Sequence, residues 1–174
     1  MTHDLHIRDA RPPELAAIAA LTRRAYAQYA TIMTPAAWAG LETAIEGALA
    51  APNHAALGIA RIVAERAGVI VGSVFLYAPA SNAYGGEGPR AACPEVRLLA
   101  VAPEARGLGV GEALMRECVR RARESGAHEL GLHTSHSMQA AMRMYQRMGF
   151  ERAPEHDFQP PGAELVEAYR LRLD

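Results

Sequence analysis

The order of apolar and polar positions divides the chain into short alternating runs and longer runs with a helical repeat. Leu5-His6-Ile7-Arg8 alternates and predicts a first strand. Asp9 to Pro13 reads as a turn, with proline heading a helix where its missing N–H costs nothing. Leu15, Ile18, Ala19, Leu21, Thr22, Ala25 and Tyr26 mark one face of a helix reaching Tyr29. Thr34-Pro35 predicts the cap and first turn of a second helix through Trp38, Leu41, Ile45 and Leu49, ended by Pro52-Asn53. Leu57 to Glu65 and Val69 to Tyr77 read as two strands around the hairpin turn Arg66-Ala67-Gly68. Residues 78–94 have no period, and a loop of that length is commonly functional or disordered.

Val96 to Val101 is a short aliphatic run that reads as a buried strand. Pro103 then forces a turn, because it cannot continue a central ladder. Leu114, Met115, Cys118, Val119 and Ala122 form the apolar face of a third helix. Its outer face carries the i,i+4 pairs Glu117–Arg121 and Arg120–Glu124, and Ser125-Gly126 stops it. Glu129 to Thr134 predicts a strand, Met138 to Met148 a helix and Phe150 to Ala153 a short strand. A last strand, Leu165 to Leu173, follows the Pro160-Pro161-Gly162 break. The order β-α-α-β-β-β-α-β-α-β-β is mixed α/β, and with no repeat or linker it predicts a single domain over residues 1–174.

Composition narrows the function classes. Half of the residues are hydrophobic and 21% are charged, as in an ordinary soluble domain. A net charge of −1 gives no basic surface for nucleic acid or anionic membrane. No apolar run approaches the ~20 residues of a membrane span. Met1-Thr2-His3-Asp4 lacks the layout of a signal peptide, so a cytoplasmic protein is the expectation. Cys93 and Cys118 form no metal or redox motif, and Cys118 sits on an apolar helix face. His133 and His136 lack a third ligand at metal spacing, so no metal is expected.

The most informative stretch is Arg106-Gly107-Leu108-Gly109-Val110-Gly111, between the aliphatic strand and the third helix. Alternate glycines free the backbone for positive φ and leave no side chain over the amides. Amides opening a helix form an anion cradle, reinforced by the helix dipole. A phosphate-bearing ligand is the natural occupant. A Walker loop is excluded, because the chain has no lysine. A dinucleotide fingerprint is also excluded: the spacing is G-x-G-x-G, and Glu129 starts the next strand rather than ending it.

The Arg-x-x-Gly-x-Gly spacing of Arg106, Gly109 and Gly111 resembles the coenzyme A pyrophosphate loop of the GNAT superfamily of acyl-CoA N-acyltransferases. Leu99-Ala100-Val101 falls where that family has its fourth strand. Ala141-Met142-Arg143-Met144-Tyr145-Gln146-Arg147-Met148-Gly149-Phe150 is similar to the family's A-x-x-x-Y-x-x-x-G-F helix end. The resemblance is strongest over residues 94–152. It implies a strongly twisted, mostly antiparallel sheet flanked by helices, with the fourth and fifth strands splayed around the pantetheine arm. It implies acetyl-CoA as co-substrate, no metal, and acetyl transfer to a primary amine by direct attack on the thioester.

In that scheme the amides of Arg106, Gly107, Leu108, Gly109, Val110 and Gly111 hold the pyrophosphate. Backbone groups of Leu99, Ala100 and Val101 pair with pantetheine, and the amide near Leu99 faces the thioester oxygen. Tyr145 is the candidate general acid; its other reading is core packing with the hydroxyl on a backbone partner. Glu95 is the candidate base, acting through water across the ~13 Å spanned by four strand residues; its other reading is an ion pair with Arg97. The family often has asparagine seven residues before the tyrosine, where this chain has Met138. Residues 78–94 then read as a mobile lip beside the acceptor site, with Tyr26, Tyr29, Trp38 and Tyr77 as lining or core.

The acceptor is a small-molecule or peptide amine of unassigned identity, and a homodimer is left open. All 18 basic residues are arginine, so the chain has no side-chain lysine of its own to acetylate. A non-catalytic acyl-CoA sensor is the rival reading, and a nucleotide-binding interaction domain a third.

Overall fold

The computed structural model describes residues 5–51, 58–81 and 92–174. Seven strands and four helices follow the expected order. They are β1 (Leu5–Asp9), α1 (Leu15–Tyr26), α2 (Pro35–Ala50), β2 (Ile59–Arg66), β3 (Val69–Tyr77) and β4 (Glu95–Val101). After these come α3 (Val110–Glu124), β5 (Glu129–Thr134), α4 (Gln139–Arg147), β6 (Glu151–Arg152) and β7 (Glu167–Arg172). The sheet order is β1-β2-β3-β4-β5-β7-β6. Every pairing is antiparallel except β4–β5, which is parallel. The sheet is therefore two antiparallel halves joined at one parallel seam.

Local chemistry sets the boundaries. Thr34 Oγ1 accepts from the Ala37 N–H at 3.3 Å with Pro35 heading α2, a side-chain cap with proline in the first turn. Ala67 and Gly68, both at positive φ, form the two-residue turn between β2 and β3, the geometry that matches strand twist. α1 is shorter than its pattern predicts. It ends at Tyr26, and Ala27–Thr31 tightens into a 3-10 turn that carries Tyr29. The expected lip over 78–94 falls largely outside the described residues.

The helices cover both faces of the sheet. Ile62, Val74, Leu76, Val96 and Ala100 pack with Val110, Leu114, Met115 and Cys118 of α3. Their strand neighbours Val63, Phe75 and Tyr77 pack with Ile18 of α1 and Ile45 and Ala48 of α2, on the opposite face. Cys118 is fully buried, as its place in the pattern predicts. On the outer face of α3, Glu117 pairs with Arg121 at 2.7 Å, and Arg121 also reaches Asp9 of β1 at 2.6 Å.

The approach of α3 to the sheet depends on Gly72 of β3. A Cβ there would stand 2.7 Å from Val110 Cγ1 and 3.2 Å from the Ala100 carbonyl oxygen. Gly72→Val is therefore expected to push the first turn of α3 away from β4. The cost of such overpacking is about 1–3 kcal/mol, read as a lowered urea midpoint with an unchanged slope.

Candidate active site

Two features of β4 create the site. The first is a bulge. Phe75 of β3 pairs with Arg97 and Ser73 pairs with Ala100, so Leu98 and Leu99 together face the single residue Val74. Leu98 takes φ +51°, rare for a branched side chain, and is buried against the α1–α2 cluster. The second is a separation. β4 pairs with β5 only at Glu95–Gly131 and Val96–Leu132, and the two strands part beyond that rung. From Arg97 to Val101 the edge of β4 that faces β5 has no ladder partner among the described residues. The bulge thus sits where the sheet opens.

The far end of the opening is the glycine turn. Gly107 and Gly109 have φ of +75° and +78°, and a Cβ at either would point into open space. Among the described backbone hydrogen bonds, none is donated by the amides of residues 107–112. These are the orphan N–H groups of a helix start, at the positive end of the α3 dipole. Gly111 serves packing instead: a Cβ there would touch Met144 Sδ at 3.5 Å and Val101 Cγ2 at 3.6 Å. The Arg106 side chain reaches back to α1. Its Nη2 donates to the Ala25 carbonyl at 3.0 Å, near the end of α1, and so ties the turn to that helix.

Tyr145 lies on α4, 7% exposed, with its ring 5.9 Å from that of Phe150. Burial, with the phenols of Tyr26 and Tyr29 nearby, raises its pKa, so the hydroxyl keeps its proton. No hydrogen bond from that hydroxyl is found among the described residues. Tyr26 and Tyr29 stack edge to face at 5.8 Å, and both phenols are likewise raised by burial. Trp38 is half-buried on α2. Tyr77 is buried in the α1–α2 cluster, its phenol raised by burial against the lowering pull of Arg97 and Arg61. Met138 takes the N-cap of α4. Just before it, Thr134 Oγ1 and Ser135 Oγ are buried without a hydrogen-bond partner.

Glu95 is fully buried on the α1–α2 face, at the first of the two rungs that pair β4 with β5. Two ion-pair partners come from the neighbouring strands β5 and β7. Glu95 Oε1 lies 2.5 Å from His133 Nδ1, and Oε2 lies 3.5 Å from Arg170 Nη1. Glu95, Gly131 and Arg170 are register partners across three strands. Gly131 makes the meeting possible, since a Cβ there would overlap both the guanidinium and the carboxylate. Sequence reasoning missed Arg170 entirely and left His133 without a partner. The available signal was Gly131, a glycine inside a strand, which marks a close approach. His136, by contrast, lies exposed beyond the strand, so the two histidines have separate surroundings.

A profile of the Acetyltransferase (GNAT) family matches residues 15–150. The mycothiol acetyltransferase of Paenarthrobacter aurescens is 38% identical over 66 residues, covering 38% of this chain and 20% of that protein. The chain thus spans about a fifth of that relative. Among solved structures, the PaiA N-acetyltransferase of Thermoplasma acidophilum in complex with coenzyme A has a TM-score of 0.72 at 16% identity, covering 97% of this chain and 99% of that one. The yncA protein of Salmonella typhimurium, a putative acetyltransferase with acetyl-CoA, has a TM-score of 0.67 at 22% identity, covering 98% and 94%.

The open amides and the empty space over Gly109 generate a prediction. Gly109→Asp places a carboxylate at the mouth of the amide cradle and is expected to weaken coenzyme A binding by about tenfold or more. Calorimetry on the folded variant reads the affinity. Unchanged binding would remove the turn from the cofactor site.

Proposed function

The chain belongs to the GNAT acetyltransferase family, and from that membership we propose that it transfers an acetyl group from acetyl-CoA to a primary amine. The observation that carries this reading is the juxtaposition at β4. A strand edge without a partner runs from the bulge at Leu98–Leu99 to six unbonded amides at residues 107–112. An elongated ligand with a pyrophosphate at one end and amide groups along its length matches that sequence of donors and acceptors.

Acetyl-CoA, when bound, supplies the acyl group as an activated thioester. The chain's own groups then have the following roles in this reading. Amides from Gly107 to Gly111 hold the pyrophosphate, with Gly107 and Gly109 keeping the approach clear; the Arg106 amide, expected in the same cradle, instead donates to the Pro103 carbonyl. The free edge of Leu99, Ala100 and Val101 pairs with the pantetheine amides. The Leu99 amide, turned by the bulge, donates to the carbonyl oxygen as negative charge builds there, a contribution that is often the largest single term in acyl transfer. The Thr134 and Ser135 hydroxyls, buried and unpartnered, stand in for the side-chain amide that Met138 cannot provide. Tyr145 gives its proton to the departing sulfur. Burial keeps this phenol protonated in the free protein, the form from which a general acid must start. Glu95 sits on the acceptor side and receives the amine proton through water. An amine acceptor of this kind reaches the thioester from the α1–α2 face, past Tyr26 and Tyr77.

An acyl-CoA sensor would need the amide cradle but not the tyrosine hydroxyl, so Tyr145→Phe separates the two. In the transferase reading, kcat falls by about 10²–10⁴-fold while acetyl-CoA affinity holds. In the packing reading, turnover stays normal and the urea midpoint drops by the equivalent of roughly 1 kcal/mol. Both are measured on one variant.

A further inference from the structure

Arg106 belongs to the glycine turn by its backbone and to α1 by its side chain. Its Nη2 donates to the Ala25 carbonyl at 3.0 Å, and Gln28 Nε2 donates to the same oxygen at 3.1 Å. That carbonyl lies one residue before α1 ends at Tyr26, where the backbone tightens into the 3-10 turn Ala27–Thr31. The last carbonyls of a helix are its negative pole, and a guanidinium placed there is a charge-assisted donor. Nε and Nη1 of Arg106 make no hydrogen bond among the described residues, so within these residues Ala25 is the anchor of the side chain.

The segment held in this way carries phenols of the α1–α2 face. Tyr26 and Tyr29 flank the change of helix type, with their rings edge to face. The Arg106 charge reaches the Tyr29 phenol and pulls against the raising effect of its burial. Both phenols in turn act on that of Tyr145. Two further ties cross between the turn and α1, and both are weaker. Arg24 meets Glu104 at 2.7 Å, but their side chains are 58% and 63% exposed, and such a pair holds little in water. Leu21 and Ala25 share an apolar cluster with Ala102, Ala105 and Val110. Three of these five are alanines, whose single methyl groups make few contacts each and leave the two surfaces free to slide. The half-buried Arg106 bond is the directional link.

We propose that Arg106 is a positioning residue for the acceptor: through the Ala25 carbonyl it fixes Tyr26 and Tyr29 to the turn that takes the cofactor, so that an occupied turn steadies the acceptor face. This rests on the acetyltransferase reading above. Arg106 stands at the entrance of the cradle, one position before Gly107, with its own amide spent on the Pro103 carbonyl at 3.4 Å. A pyrophosphate held by amides 107–111 takes away the backbone freedom of Gly107 and Gly109, and Arg106 is the residue next to them. Loss of motion in the turn then passes to Ala25, and from Ala25 to the 3-10 turn, through one hydrogen bond. The guanidinium does this without touching phosphate, so it serves the acceptor end and adds nothing to cofactor affinity. By linkage, ordering α1 opposes cofactor binding slightly, and removing the link relieves that cost.

Hydrogen exchange of the full chain, with and without saturating coenzyme A, tests this with no acceptor present. In the wild type the amides of residues 26–33 are expected to exchange about tenfold more slowly once coenzyme A is bound. In Arg106→Met, which keeps the length and removes the donor, that slowing should be absent, while calorimetry finds coenzyme A bound as tightly as before or slightly more so. Arg106→Gln, too short to reach α1, is the second variant and should behave as the Met variant does. Arg106→Lys, which still offers a charged donor, should recover part of the slowing. Equal slowing in the wild type and in either neutral variant would overturn the proposal. So would a coenzyme A affinity that falls about tenfold in those variants, since the guanidinium would then be holding phosphate. In turnover, with the primary amine that releases thiol fastest in a screen, KM for the amine should rise about tenfold in the neutral variants while KM for acetyl-CoA holds. An unchanged amine KM would also overturn the proposal. A wild-type chain that binds no coenzyme A would overturn the acetyltransferase reading instead, and calorimetry tells the two failures apart.

Discussion

The parting of β4 from β5 after two rungs governs the rest of the molecule. A parallel pair buried inside a sheet normally continues its ladder, because an unpaired backbone group away from water costs as much as a lost hydrogen bond. Here the ladder stops at Val96–Leu132. The cost is contained in three ways. β4 remains paired with β3 along its other edge, at Gly72 and Ser73 beyond the bulge. α3 is clamped onto the strand by the near-contact at Gly72. The seam is held shut at its closed end by the Glu95–His133–Arg170 cluster, which joins three strands by charge. The opening is therefore a fixed feature of the fold, available to a ligand that can complete the missing ladder.

The charged cluster gives that closed end its character. Burying a carboxylate is expensive unless opposite charge and hydrogen bonds surround it. Glu95 meets that condition with one partner from β5 and one from β7, and the space comes from a glycine between them. Any drift of β7 relative to β4 would separate charges in a dry place. The cluster thus couples the position of the second half of the sheet to the first, across a seam with only two rungs of backbone pairing.

Much of this was legible in the sequence, and the limits have physical causes. Alternation and helical period placed every strand and helix, because burial on one face imposes those repeats directly. The glycine turn stood out as a candidate because alternate glycines before a helix have few other uses, and Tyr145 because it stands in a spaced helical motif. The bulge was not legible. Leu98 is a branched residue at positive φ, a conformation that its own chemistry opposes and only its neighbours impose. The partner of the Arg106 side chain was not legible either, because the Ala25 carbonyl lies 81 positions away. For Glu95 the two-residue period of a strand offered Arg97 as one reading, since it shows what shares a face but not what lies across the next strand. His133 and Arg170 became its partners through register, and register between non-neighbouring strands leaves no local trace beyond Gly131.

The division of labour between backbone and side chains explains why a fold can be shared at 16–22% identity. The cofactor end of the proposed site is made of amides, a free strand edge and glycines that keep space clear. Such groups constrain conformation and leave most side chains free to vary. The opposite face is built from side chains: Tyr26, Tyr77, Arg97 and the Glu95 cluster. Each of these can be exchanged without disturbing the amides. A backbone-made site recognises what is constant in a cofactor, whereas a side-chain-made face recognises what differs between acceptors. On the α1–α2 face, from which the proposed acceptor would be read, this chain presents aromatic rings and arginine beside a buried carboxylate rather than the row of exposed carboxylates that a polyamine would require.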